Sequence, residues 1–199
     1  MKKIMFILAI SLFLTLAVPT LTLATNKLMF NYDMKGSYQS AEGFWQGNND
    51  DTTFDTDSGY VIGYEYTNNN QRAELGFGIE SQLERNLTNY EDAGFEFTTL
   101  YGVMYFHIVN KKDFAPFLVG RIGYNWYTGN DTYKNTVYGL DAELNDGLYG
   151  AIGFGFNAER SLATFLYSIN CGSLSSSSDF DFNRYIVYSK FSIVFGFKF

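Results

Sequence analysis

The stretch Phe191-Ser-Ile-Val-Phe-Gly-Phe-Lys-Phe199 carries a strict two-residue alternation that decides the fold. Successive side chains of a β-strand point to opposite faces, so one face of this strand is small or polar. The other face carries only large apolar side chains, namely Phe191, Ile193, Phe195, Phe197 and Phe199. Such a strand suits a transmembrane barrel, in which the apolar face contacts lipid and the polar face lines the interior.

The other end of the chain has the three parts of a secretory signal peptide. Met1-Lys2-Lys3 is basic, residues 4–18 form an apolar run, and Thr22-Leu23-Ala24 places small residues before a cleavage site. A membrane anchor is the alternative, but the apolar run is shorter than the ~20 residues that a spanning helix needs. We therefore predict a signal peptide over residues 1–24 and a single mature barrel domain over 25–199.

The composition favours strands over helices as the membrane-spanning elements. The chain has 199 residues, of which 19% are aromatic, yet its mean hydropathy is only −0.12. Alternating strands average their two faces in any hydropathy window, whereas spanning helices do not. The formal net charge of −7 argues against nucleic acid as a partner, because phosphate binding requires clustered Lys and Arg.

Eight alternating segments, separated by turn residues, predict eight strands. They lie near residues 27–37, 58–67, 71–84, 94–108, 114–127, 147–157, 162–170 and 184–199. Short turns at 68–70, 110–113 and 158–161 alternate with longer polar segments at 38–57, 84–93, 128–146 and 171–183. Outer-membrane barrels have this asymmetry, with short periplasmic turns and longer extracellular loops. The predicted fold class is all-β, an eight-stranded antiparallel up-and-down transmembrane barrel.

Three stretches resemble parts of a known family. Ala115-Pro-Phe-Leu-Val-Gly-Arg-Ile-Gly-Tyr124, Gly150-Ala-Ile-Gly-Phe-Gly-Phe156 and residues 193–199 are similar to the fifth, sixth and closing strands of the small eight-stranded outer-membrane β-barrels, the OmpA/OmpX-type membrane domains. The resemblance covers nearly the whole predicted mature chain. It implies a place in the outer membrane of a diderm bacterium, with extracellular long loops and with lipid and lipopolysaccharide as neighbours. It also implies that the barrel assembly machinery reads the aromatic face of the final strand as an assembly signal.

Charged side chains fall on the polar faces of the predicted strands. The interior of an eight-stranded barrel is just wide enough for side chains to fill, and buried charges there must pair. We predict an internal salt-bridge network formed by Asp33, Lys35, Glu65, Arg72, Glu74, Glu80, Arg121 and Lys190. This network would close the barrel. The alternative is a narrow porin-like channel for ions or small solutes, in which exchange of ion pairs opens a path for water.

The sequence predicts no catalytic residue, cofactor or metal site. His107 is the only histidine and lies beside the predicted periplasmic turn at 110–113, and no Gly-x-Ser-x-Gly motif is present. Asp55-Thr-Asp57-Ser-Gly59 supplies only part of the ligand set of a calcium loop. Cys171 is the only cysteine, and we expect an unpaired thiol near a strand end.

Aromatic residues in the longer connections are the candidate contact residues. Exposed apolar groups outside a membrane often mark interaction sites. The candidates are Phe44, Trp45, Tyr90, Tyr133 and Tyr138. The predicted function is a structural or surface-interaction role, adhesion-like and without catalytic activity, in which the outer loops contact host or other cell-surface molecules.

Overall fold

The computed structural model describes residues 24–41, 52–69, 72–88, 90, 92–109, 114–138, 142–176 and 183–199. Most of these residues lie in strands. The elements are β1 (Ala24–Asp33), β2 (Ser37–Ala41), β3 (Thr52–Asp55), β4 (Gly59–Asn69), β5 (Ala73–Gln82), β6 (Arg85–Asn86), β7 (Gly94–His107), β8 (Phe114–Gly129), α1 (Asp131–Tyr138), β9 (Ala142–Asn145), β10 (Gly147–Ala158), β11 (Ser161–Ser176) and β12 (Asn183–Lys198).

Eight of these strands form a closed antiparallel barrel. Their order around the barrel is β1, β4, β5, β7, β8, β10, β11 and β12, and the last strand pairs with the first. Phe30 lies opposite Phe195 in this closing pair. Each long strand is therefore hydrogen-bonded on both edges and follows its neighbour in the chain. The prediction of an all-β, eight-stranded up-and-down barrel is confirmed.

The two faces of the strands separate as the alternation predicts. On β12 the side chains of Phe191, Phe195 and Phe197 are more than half exposed on the outside, while Ser192 and Val194 are buried inside. We call the outward apolar surface the apolar belt; it includes Leu28, Phe30, Tyr60, Ile62, Leu75, Ile79, Leu100, Met104, Leu118, Ile122, Ile152, Phe154 and Phe165. Ile193 and Phe199 also face outward.

The two ends of the barrel differ in the length of their connections. At the short-turn end, β4 runs into β5, β7 into β8 and β10 into β11 within a few residues. At the long-loop end, the connections contain the short strands β2, β3, β6 and β9 and the helix α1. Pro116 is the third residue of β8, close to the start of its strand as its missing N–H requires. No helix in the described ranges is long and apolar enough to span a membrane.

The seventh strand is longer than the sequence indicates. Residues 171–176, apart from Leu174, are small, and the sequence predicts a loop there, but they continue β11 and pair with β12 and β9. The alternation persists in this segment, because Gly172 and Leu174 are buried while Ser173 faces outward. Cys171 consequently lies within a strand and is half-buried with a free thiol, so its predicted position near a strand end is wrong.

The predicted signal peptide lies almost entirely outside the described residues. Only its last residue, Ala24, is described, and this residue begins β1. The boundary between residues 24 and 25 therefore stays a prediction.

Replacing Phe195 with Arg is expected to impair assembly in lipid. Phe195 lies near the middle of the apolar belt, and a lipid-facing Arg at the midplane of a bilayer costs ~2–4 kcal/mol. Ser173→Arg is the matched control, because Ser173 also faces outward but lies beyond the belt, where the cost falls to about 0–1 kcal/mol. The folded fraction in phospholipid vesicles, read from heat-dependent gel mobility, measures both. Equal losses for the two variants would show that the apolar belt is misplaced.

Candidate functional site

The interior of the barrel, its lumen, is lined by paired charges. Four carboxylates and four Lys or Arg side chains are buried there, so these groups sum to zero charge. They are Asp33, Glu65, Glu74 and Glu80, with Lys27, Arg85, Arg121 and Lys190; His107 is buried among them. An unpaired buried charge would cost several kcal/mol, and a partner of opposite charge offsets much of that cost. The acidic excess of the chain therefore lies outside the lumen.

Arg121 of β8 is the centre of the first cluster, which we call the central cluster. Its guanidinium reaches Glu65 of β4 at 2.6 Å and Glu80 of β5 at 3.1 Å. The Tyr101 hydroxyl donates to Glu65 at 3.0 Å, and the Tyr105 hydroxyl donates to the other carboxylate oxygen at 2.5 Å. Arg121 and the two tyrosines of β7 thus connect β4, β5, β7 and β8 through charge-assisted hydrogen bonds inside the barrel.

Asp33 at the end of β1 is the centre of the second cluster, on the long-loop side. Its Oδ2 lies 2.6 Å from Lys190 Nζ and 3.1 Å from Arg85 Nη2, and its Oδ1 accepts a hydrogen bond from Ser192 at 2.7 Å. Lys190 also donates to the side-chain oxygen of Gln82 at 2.7 Å. Side chains of three strands, β1, β6 and β12, therefore meet at one carboxylate, and Lys190 links this carboxylate to β5.

The third cluster lies at the short-turn end around Glu74. Lys27 Nζ is 2.7 Å from Glu74 Oε2, His107 Nε2 is 3.1 Å from Oε1, and the Thr67 hydroxyl donates to Oε2 at 3.1 Å. The ammonium group of Lys27 also lies over the ring of Tyr105, 3.7 Å from its centroid. His107 is 4% exposed, so it belongs to the lumen packing and does not face a surface where an external substrate would bind.

Six of the eight charged residues that the sequence assigned to the lumen lie in these clusters. The assignment is wrong for Lys35 and Arg72, which are both exposed. Lys35 follows the end of β1, where the alternation stops, and Arg72 precedes the first residue of β5. Two buried cations were not proposed. Lys27 occupies an inward-facing position of β1, so the alternation of the sequence could have identified it. Arg85 enters the lumen from β6, in a segment with no strand signal.

An aromatic plug fills the barrel at the long-loop end. We define it by the buried rings of Tyr38, Phe95, Phe97, Tyr127, Tyr133 and Tyr188. Phe97 stacks on Tyr127 with ring centroids 4.6 Å apart, and Phe95 meets Tyr188 edge-on at 5.2 Å. The hydroxyl of Tyr133 is hydrogen-bonded to those of Tyr38 and Tyr127, so the polar tips of three rings satisfy one another.

Helix α1 carries Tyr133 into this plug. Asn130 precedes the helix, and its side-chain oxygen accepts a hydrogen bond from the Tyr133 backbone N–H at 2.8 Å, as an N-cap residue does. The Asn130 amide also donates to Glu84 at 2.7 Å and to the Asp92 carbonyl at 2.9 Å. One side chain therefore fixes both the start of the helix and its position over the barrel.

This packing changes the set of candidate contact residues. Tyr133 is fully buried, so its prediction as an exposed loop contact is wrong. Tyr90 is half-buried and packs against Phe54, with ring centroids 5.7 Å apart. Phe44 and Trp45 lie outside the described residues, and so does the side chain of Tyr138. Among the aromatic residues of the long connections, Tyr133 thus has a structural role. The group therefore does not form a single contact surface.

The outer surface of the long-loop end is acidic. Its exposed carboxylates are Asp55, Asp57, Glu84, Asp92, Glu96, Asp131, Glu143 and Asp146, and the cations described there are Lys35, Lys134 and Arg184. Within the described ranges, no three His, Cys, Asp or Glu side chains are placed to hold a metal ion. The surface therefore offers dispersed negative charge.

Solved structures of three other proteins are similar to this chain. OprG, an outer membrane protein of Pseudomonas aeruginosa, is 14% identical over 88% of this chain and 94% of its own, with a TM-score of 0.51. The outer membrane protein AlkL, solved in DMPC bilayers, is 8% identical over 88% and 90%, with a TM-score of 0.55. Neisserial surface protein A is 12% identical over 88% and 97%, with a TM-score of 0.50. No protein-family model and no curated protein matches the chain.

The similarities to these solved structures concern the fold. At these identities they show the fold, and they confirm that the chain has the architecture of the small outer-membrane β-barrels.

Removing the cation of the central cluster is expected to destabilise the barrel strongly. Arg121→Met leaves Glu65 and Glu80 buried without their shared partner, which costs about 3–5 kcal/mol. The triple variant Arg121→Met/Glu65→Gln/Glu80→Gln removes the uncompensated charge and is expected to recover much of that loss. The control Arg72→Met changes an exposed cation and should shift stability little. Urea unfolding in phospholipid vesicles measures the series, and an Arg121→Met barrel as stable as the wild type would contradict the assigned role.

Proposed function

We propose that this chain, which has the fold of the small eight-stranded outer-membrane β-barrels, is an integral outer-membrane protein that presents its long-loop end to the cell exterior as a non-catalytic interaction surface. The proposal rests on one contrast. Side chains fill the lumen, whereas the long-loop end is an ordered structure that faces water. The apolar belt anchors the barrel in lipid, the charge clusters and the plug fill its interior, and the strands project beyond the belt.

The described lumen supports a structural role for the barrel. Its ionisable groups are paired across the barrel at 2.6–3.1 Å. The aromatic plug lies above them, with Tyr38 and Tyr133 fully buried. A channel for solutes would require these side chains to move apart, because the interior of an eight-stranded barrel is just wide enough for side chains to fill.

The long-loop end supports an interaction role because the barrel wall there lies beyond the apolar belt and is polar on its outer face. Glu96 of β7 and Thr128 of β8 face outward side by side, with a hydrogen bond of 2.9 Å between them. On β11 the outward positions Ser173 and Ser175 are likewise polar. Such side chains belong in water, so the barrel wall extends beyond the membrane and carries the acidic surface with it. This surface complements basic groups on a host or neighbouring cell, and Phe44 and Trp45 remain the proposed apolar contacts.

Export and insertion complete the proposal. A signal peptide over residues 1–24 directs the chain across the inner membrane. The barrel assembly machinery then reads the aromatic face of β12 as the assembly signal, formed by Phe191, Ile193, Phe195, Phe197 and Phe199. In the folded barrel these side chains face outward, which supports their contact with lipid and lipopolysaccharide.

Labelling of single cysteines on intact cells tests the orientation. In a Cys171→Ser background, Asp131→Cys places a thiol at the long-loop end and Glu159→Cys places one at the short-turn end, both at exposed positions. A membrane-impermeant maleimide is expected to label residue 131 on intact cells and residue 159 only after the outer membrane is permeabilised. Labelling of residue 159 alone on intact cells would mean that the barrel is inserted in the opposite sense.

Attachment assays test the role itself. Cells that display the protein are expected to bind host-cell layers more than cells without it, and added salt should weaken the binding because the surface is acidic. Phe44→Ser/Trp45→Ser should reduce attachment at equal surface levels, which the label at residue 131 reports. In planar bilayers the wild-type protein should give no conductance steps. Reproducible steps without any attachment would favour the narrow channel instead.

A further inference from the structure

The wall of the barrel is interrupted at the long-loop end, between β8 and β9. Asn125 of β8 lies opposite Gly147 of β10, and a continued ladder would bring Tyr127 opposite residue 145 of β9. β9 pairs instead with β11, and the Tyr127 backbone N–H donates to the Asp146 carboxylate at 3.0 Å. An aspartate side chain therefore takes the place of the neighbouring strand at this point of the wall.

A β-bulge accounts for the interruption. Tyr149 of β10 lies opposite Asn170 of β11, whereas Asn145 of β9 lies opposite Ser173. Four steps from 145 to 149 thus match three steps from 170 to 173, so one extra residue lies between β9 and β10. A bulge bends its strand, and bulges are frequent at the rims of barrels. This one turns β9 away from the end of β8, which stays paired with β7.

A cleft of about 410 Å³ occupies the space between the two strands, and we call it the β8–β9 cleft. This volume lies within the range of ~300–1,000 Å³ that is usual for pockets that bind small molecules. Three strand residues of β8, two of β9 and one residue of α1 line it, namely Tyr127, Thr128, Gly129, Glu143, Leu144 and Lys134.

The aromatic plug lies behind the β8–β9 cleft. A Cβ placed on Gly129 would lie 2.6 Å from the ring of Tyr133 and 3.1 Å from Leu144 Cδ1, so these two side chains lie over the glycine. Tyr127, the innermost lining residue, is 3% exposed and belongs to the plug. The cleft is therefore a pocket in the barrel wall with packed side chains as its floor.

Two opposite charges flank the cleft. The half-buried Lys134 brings an ammonium group from α1, and the exposed Glu143 brings a carboxylate from β9. Within the described part of the chain, neither group is engaged in an ion pair. Glu143 and Asp146 would repel a ligand that carries only an anion, and Lys134 would repel one that carries only an amine. A zwitterion with a short spacer complements both sides.

The level of the cleft relative to the apolar belt indicates the source of such a zwitterion. Trp126 of β8 and Leu148 of β10 are the last apolar side chains that face outward on their strands. The exposed Thr128 and Asp146 lie directly beyond them. Aromatic girdles mark the edges of the hydrocarbon in membrane barrels, and the lipid headgroups lie just outside that edge. The cleft thus opens at the level of the headgroups.

We propose that the β8–β9 cleft binds the phosphoethanolamine headgroup of an outer-leaflet lipid. Lys134 donates to the phosphate oxygens, and the Glu143 carboxylate accepts hydrogen bonds from the ammonium group. Charge-assisted hydrogen bonds of this kind are the strong ones. The bound headgroup would link α1 to β9 across the part of the wall that the bulge leaves open. The inference rests on the proposed insertion in the outer membrane, and it adds a lipid ligand to the surface role.

Titration with O-phosphoethanolamine tests the site. The isotope-labelled full chain, refolded in uncharged maltoside micelles, is expected to show saturable shifts of the Gly129, Lys134 and Glu143 backbone amides. Lys134→Met and Glu143→Gln should each weaken binding about tenfold, because each removes a charge-assisted hydrogen bond. The matched controls Lys35→Met and Asp57→Asn remove exposed charges of the same sign outside the cleft. They should leave the affinity within about twofold of the wild type, since exposed charges at a distance are screened.

Separate titrations with inorganic phosphate and with ethanolamine test the need for both charges. Each should bind at least about tenfold more weakly than O-phosphoethanolamine, and equal affinity for either one would overturn the zwitterion. Nanodiscs of phosphatidylglycerol, with and without phosphatidylethanolamine, test the lipid source. Phosphatidylethanolamine is expected to shift the same amides, and binding of the soluble compound alone would overturn a lipid ligand. Shifts that do not saturate would overturn the site, while the attachment and labelling assays would still test the surface role independently.

Discussion

Closure of β12 onto β1 is the interaction on which the rest of the structure depends. In hydrocarbon every backbone N–H and C=O must be bonded within the protein, and a sheet meets that demand only when it has no free edge. The pairing of residues 27–33 with residues 192–198 removes both edges at once. Closure also creates the enclosed lumen, so the chemistry of the interior follows from the same constraint.

A closed barrel of eight strands forces charges together that the chain holds far apart. Asp33 and Lys190 are 157 residues apart in sequence and 2.6 Å apart in the lumen. The cost of burying each ion is offset only if an opposite charge meets it, and the equal numbers of buried carboxylates and Lys or Arg cations satisfy that condition. Paired charges and packed rings together make the barrel a rigid support, which is why the proposed function lies at its surface.

At the long-loop end, the connections between the barrel strands are part of the folded structure. Residues expected to be loop supply four short strands, a helix and two rings of the aromatic plug, Tyr38 and Tyr133, and they carry the barrel wall beyond the apolar belt. Their order comes from contacts between segments that are distant in the chain, such as Tyr38, Tyr127 and Tyr133. The aromatic plug therefore separates the barrel interior from the acidic surface.

The sequence by itself determined the strand count, the faces of the strands and six of the buried charges, because a period of two residues is a local property that each segment displays independently. Lys35 and Arg72 were misplaced since the pattern does not mark where a strand stops. Only the tertiary structure decided the burial of Arg85 and Tyr133, the formation of α1 and the extension of β11. No local pattern specifies which distant side chain will meet a given residue, and pairing across a closed barrel is a contact of that kind.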